Sequence, residues 1–172
     1  MKSLAAKDEV FLRCVSEKMQ TYFGMDKRRI SHALMVAEFA RKLIKNTAAN
    51  PVETLCAAYL HDIGIHEAER KYQSTAGKWQ EIEGPPIAEE ILKDLGAGED
   101  LAKNVLRLIG KHHTIAGVDS EEFRILWDAD ALVNFSETLQ DKPDTFIESK
   151  LERHMATSQG LKLAREMFLN KG

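Results

Sequence analysis

Imidazoles and carboxylates recur at four places within otherwise apolar stretches: His32, the adjacent His61 and Asp62, the doublet His112 and His113, and Asp128 with Asp130. Of the other two histidines, His66 follows Asp62 closely and His154 stands apart. An ionisable group on the inner face of a helix costs free energy unless it is paired, hydrogen-bonded or bound to a cation. Taken singly, each has an ordinary reading. His32 suits a hydrogen-bonded core position, Asp128 a pair with Arg124 one turn earlier, and the doublet a helix C-terminus where imidazole suits the dipole. Taken together they offer the nitrogen and oxygen donors that hold divalent ions in hydrolytic sites. Such an ion lowers the pKa of a bound water and polarises phosphoryl oxygens. Lys111 beside the doublet, and Arg28 with Arg29 one turn before His32, add positive charge suited to phosphate.

These groups need rigid elements to carry them. Apolar residues at helical spacing predict a helix from about Leu4 to Phe23, stopped by Gly24, and a second from an Asp26 N-cap to about Asn46. Asn50 and Pro51 restart the chain into a short apolar helix ending at His61 and Asp62. The polar stretch Glu67 to Glu83, with Ser74, Thr75 and Gly77 near its centre, reads as a long loop or lid. Gly84-Pro85-Pro86 then opens a helix from Ile87 to about Leu95, and another runs from Glu99 to His113. Ser120 caps a helix through Leu126, Ala129 and Leu132, and two shorter amphipathic helices span Asp144 to Asn170. No strand alternation or hairpin signal interrupts this, so the expected fold is all-α, a single bundle of about seven or eight helices. The last two helices either complete the bundle or form a homodimer face.

Composition narrows the partners. A length of 172 residues suits one domain with a substantial core. A net charge of -3 supplies no global field for nucleic acid or anionic membrane. No run approaches the roughly 20 apolar residues of a membrane span, and the N-terminus lacks a signal peptide's apolar stretch. With two cysteines, Cys14 and Cys56, in apolar helical runs, a cytoplasmic chain with reduced thiols is expected.

Set in chain order, Ile30-Ser31-His32-Ala33-Leu34, Tyr59-Leu60-His61-Asp62-Ile63-Gly64 and Leu126-Trp127-Asp128-Ala129-Asp130-Ala131-Leu132 resemble the HD superfamily of metal-dependent phosphohydrolases. The resemblance covers roughly residues 26–135. It implies a bundle in which His32, His61, Asp62 and Asp130 bind one divalent ion; Mn, Fe, Co, Ni, Zn and Mg are not distinguished. The family's last ligand follows an alanine, which selects Asp130 and leaves Asp128 to support the ligands from behind. Lys111-His112-His113-Thr114 resembles members with two metals, so His112 and His113 are expected at a second ion or at phosphate. Those members supply a further histidine between the doublets. Here that region reads Trp79-Gln80-Glu81-Ile82-Glu83-Gly84, leaving Glu81 or Glu83 as stand-ins.

Many relatives carry a lysine or an acid three positions after the doublet's aspartate; here it is Ile65. His66, Glu67, Arg70 and Lys71 follow at once as candidates for that role, which leaves the general acid unassigned. Asp62 is expected as both ligand and base, with His66 and Lys111 beside it as catalytic residues. The expected activity is hydrolysis of a small phosphorylated metabolite, first of all a nucleotide. Two rivals stand beside it: a two-iron oxygenase using a similar ligand frame, and an inactive domain that binds a nucleotide or a partner protein. Thr75-Ala76-Gly77-Lys78 lacks the earlier glycine and strand of a phosphate loop. Trp79 and Trp127 are available for stacking but suit core packing better.

Overall fold

Helices account for the regular structure of residues 4–116 and 120–169, which the computed structural model describes; no strand occurs among them. In chain order they are α1 (Ala6–Phe23), α2 (Lys27–Leu43), α3 (Pro51–Leu60), α4 (Ile65–Tyr72), α5 (Gly77–Asp94), α6 (Glu99–Ile109), α7 (Glu121–Thr138), α8 (Asp144–His154) and α9 (Ser158–Phe168). Residues 1–3 and Asn170, included in the expectations above, lie outside the described residues.

α3 is the axis of the bundle. Apolar nearly all round, it buries Leu55, Cys56, Ala57, Ala58 and Leu60 and touches α1, α2, α6 and α7. Its start is fixed by Pro51 in the first turn and by the Asn50 side chain, which accepts from the amides of Val52 and Glu53 at 3.0 and 3.3 Å. α2 packs a stripe of small residues, Ala33, Val36, Ala37 and Ala40, towards this core, and the Asp26 carboxylate caps it by accepting from Arg29 N at 3.2 Å. α7 begins on a Ser120 cap. Its Glu121 and Glu122 carboxylates accept from the amides of Ala48 and Asn50, tying its start to the approach of α3. α8 and α9 bury Ile147, Leu151, Ala164 and Phe168 in the same core. None of the described helices is long and apolar enough to cross a membrane.

The stretch read as a loop is helical. α4 covers much of it, ending where Gln73 turns into the left-handed region, and α5 begins at Gly77 and runs straight through Pro85 and Pro86. Local propensity misled here because packing decides. Gly84 lies against the turn between α3 and α4 so closely that a Cβ on Gly64 would come 2.4 Å from Gly84 N. That backbone-to-backbone crossing, open only to glycine, holds α5 in place across its prolines. At the exposed end, Tyr72 and Trp79 stack at 3.9 Å, while Lys71 and Tyr72 donate to Glu83.

Candidate metal centre

Four elements deliver their polar groups to one point. α2 presents His32, the turn after α3 presents His61 and Asp62, the turn after α6 presents His112, and α7 presents Asp130. His32 Nε2 lies 3.2 Å from His61 Nε2, 3.5 Å from Asp62 Oδ2 and 3.0 Å from Asp130 Oδ1. His61 Nε2 lies 3.5 Å from Asp62 Oδ2 and 3.6 Å from Asp130 Oδ1. Donor atoms around an ion with bonds of about 2.1 Å stand roughly 3.0–3.5 Å apart in octahedral or tetrahedral arrangements. The observed spacings therefore fit one shared ion on His32, His61 and Asp62, whose ligand atoms lie within 4.8 Å of one another, with Asp130 approaching through the two imidazoles.

The imidazoles are oriented from behind. His61 Nδ1 donates to Ala58 O at 2.9 Å and His112 Nδ1 to Ile109 O at 2.7 Å, each a carbonyl three residues back. A carbonyl only accepts, so in the neutral ring each Nε2 carries its lone pair towards the cluster. His112 Nε2 is buried without a hydrogen-bond partner, 3.4 Å from Asp62 Oδ1. Lone pairs converging on carboxylates suit a cation.

The electrostatics agree. Burial works against ionising Asp62, but the charge of His61 and the close approach of the His112 imidazole outweigh it and hold the carboxyl below the usual range. Asp130 follows the same pattern, with burial overcome by the close imidazoles of His32 and His61. For His61, burial disfavours the charge, yet Asp62 and Asp130 push its pKa up to about 9. Partial removal from water, then the neighbouring His112, push His113 down to about 4, so it is neutral at pH 7.

The sequence model of the HD domain family matches residues 29–134, more than half of the chain. The chain belongs to the HD-domain family. Its fold also matches the crystal structure of a predicted HD superfamily hydrolase from an uncultured Thermotogales bacterium, with a TM-score of 0.62 and 24% identity over 92% of this chain and 83% of that one. That likeness speaks for the fold. No curated protein matches the chain.

In this HD domain the cluster forms the floor of a cleft of about 320 Å³. His32, Asp62, Asp130 and His113 line it together with Arg28, Arg29, Ser31, Thr75, Gln80 and Asn134. Arg28 pairs with Glu137 at 3.3 Å on the surface, a contact that water makes weak and that leaves the guanidinium free to turn to a ligand. Ile65, 2% exposed, supplies an apolar wall at the position where the resemblance implies a lysine or an acid. Beyond Asp130 a smaller recess of about 190 Å³ is lined by His112, Trp127, Phe135 and His154. His154, which stands apart in the sequence, thus comes beside the centre, its carbonyl accepting from Trp127 Nε1 and its ring stacked on the indole. A larger cleft of about 660 Å³, bordered by Glu9, Arg41, Lys45 and Leu55, has, among the described residues, no histidine in its lining and no metal-ligand cluster.

Several expected site residues are not brought to the cluster. His66 starts a new helix after the Gly64 turn and faces away; its Nε2 lies 2.9 Å from Asp26 Oδ2, and its ring sits beside Tyr22 and Phe23. Lys111 is exposed on the turn after α6 and does not line the cleft. Asp128 points from the back of α7 to the α8–α9 junction, accepting from Ala156 N at 2.6 Å, Thr157 N at 2.9 Å and Thr157 Oγ1 at 2.6 Å. It clamps that junction and supports no ligand. Glu81 is occupied by His113 N and Thr114 Oγ1, and Glu83 by Lys71 and Tyr72, so neither stands in for the missing histidine. Trp79 is committed to Tyr72. The residue passed over is Gln80, whose inward position follows only once α5 is known to begin at Gly77.

Proposed function

We propose that this HD domain hydrolyses a small phosphorylated metabolite, first of all a nucleotide, at a divalent ion held by His32, His61, Asp62 and Asp130. The supporting observation is their convergence at the floor of a cleft that Arg28 and Arg29 also line. An ion bound there supplies an activated water and polarises the phosphoryl oxygens. Arg28 and Arg29 draw the phosphate charge to that end of the cleft. Asp62 holds its Oδ2 towards His32 and His61 and its Oδ1 towards His112, so it can bind with one oxygen and take a proton with the other. Asn134, hydrogen-bonded to Asp130 Oδ1 at 3.0 Å, steadies that carboxylate at the rim. The partner is a small molecule in the cytoplasm, with no role for membrane or nucleic acid.

The test is a screen of phosphomonoesters and phosphodiesters against chain loaded with Mn, Co, Ni, Mg or Zn. Turnover by the wild type and its loss in His61→Ala/Asp62→Ala support the reading; full activity in that variant refutes the site. Asp62, His112 and His113 form a second grouping of potential ligand atoms, which favours a two-iron oxygenase as the alternative. Oxygen uptake with two irons per chain, and no phosphoester turnover, would establish that alternative.

A further inference from the structure

Among the described residues, two buried side-chain atoms have no hydrogen-bond partner, Gln80 Oε1 and His112 Nε2. Both are acceptors, because each side chain's other end is already used as a donor. Gln80 Nε2 donates to Thr75 O at 2.7 Å, which identifies the remaining amide atom as the oxygen, and His112 Nδ1 donates to Ile109 O. A buried amide oxygen without a donor is rare, because it loses water without replacement. Gln80 is only 5% exposed.

α5 places Gln80 on the side of the helix that meets His113. Gly77, one turn earlier, faces the His113 ring; Glu81, the next residue, accepts from His113 N; Gly84, one turn later, meets Gly64 and Ile109. Gln80 lies on that same stripe and lines the cleft beside Asp62 and His113. The potential ligand atoms of Asp62, His112 and His113 already lie within 4.8 Å of one another.

We propose that Gln80 Oε1 joins Asp62, His112 and His113 as a neutral oxygen donor to a second divalent ion. The inference rests on the metal-centre reading above. An amide oxygen is a hard donor, so it favours an oxygen-accepting ion such as Mn²⁺ over one that prefers nitrogen throughout. The second ion has Asp62 as its one carboxylate, shared with the first ion, which also has Asp130, so the second ion binds more weakly than the first.

The test counts ions. Full-length chain is stripped with chelator, titrated with Mn²⁺ alone and followed by calorimetry and elemental analysis, with circular dichroism confirming the fold. The wild type is expected to take two ions in separable steps. Gln80→Ala should keep the first step and weaken the second by at least about tenfold, and Gln80→His should restore it. The proposal is overturned if the wild type saturates at one ion, if folded Gln80→Ala binds two as the wild type does, or if it loses both. A wild-type chain that binds no ion refutes the metal centre itself, a separate outcome.

Discussion

Replacing Asp128 by alanine separates two aspartates that stand two residues apart and do different work. Asp128 is fully buried and accepts three hydrogen bonds from Ala156 and Thr157. Burial outweighs those bonds and raises its pKa, so the ionised carboxylate itself contributes little net stability. Its removal nevertheless strands three donors. Ala156 and Thr157 are half-buried, so the lower end of the usual penalty applies, about 1 kcal/mol per donor and about 3 kcal/mol in all. For a chain of this size that is a fall in Tm of about 6–12 °C. Chemical denaturation and calorimetry measure it, and elemental analysis of the folded variant should find wild-type metal content. Asp130→Ala should show the converse priority, losing metal while folded. A stability loss under about 1 kcal/mol in Asp128→Ala, or loss of metal there with retention in Asp130→Ala, refutes the assignment.

Metal affinity should rise about tenfold per pH unit as pH climbs towards about 9, because an ion must displace the proton that Asp62 and Asp130 hold on His61. The sign reverses for the metal-free chain: protonated His61 contributes stability fully below about 6.5 and loses it as pH rises through about 9. Calorimetric affinities flat from pH 6.5 to 8.5 would sink both statements. Gly64→Ala should cost several kcal/mol, since its Cβ would meet backbone of Gly84 and Gln80 at 2.4 and 2.8 Å; a wild-type Tm would disprove the crossing. Arg29→Ala should raise KM for a phosphorylated substrate about tenfold with kcat largely kept, and the opposite split would show that Arg29 acts in the transition state. Cys56, fully buried with its thiol pushed up to about 12, should resist thiol reagents until the chain unfolds, and rapid native labelling would contradict its place in α3.

His32, His61, Asp62 and Asp130 were legible because each interrupts an apolar helical run, where a buried ionisable group needs a reason. Their convergence was not, since it depends on how α2, α3 and α7 pack. His66 shows the opposite error. Adjacency in the chain suggested a role, but the turn through Gly64 starts a new helix with its own direction, and the imidazole ends against Asp26. Gln80 was hidden by its surroundings. A polar run followed by two prolines reads as a break, whereas the Gly64–Gly84 crossing is a tertiary contact with no local signature. Asp130 was told from Asp128 through the family resemblance, by the alanine before it, and two residues apart on a helix the pair must point in different directions. What Asp128 holds instead lies nearly thirty residues away, beyond any local pattern.

The carbonyls of Ala58 and Ile109 have a further consequence. Each grips an imidazole from within its own helix or the turn that ends it, so His61 and His112 take their orientation as soon as those segments form. Ion binding then has little left to order, and folding has little need of the ion. Chelation should give an intact, empty bundle, unlike a zinc finger, whose fold collapses without its metal. Such a bundle can exchange its ion during the life of one molecule, and its occupant follows which divalent metal the surroundings supply.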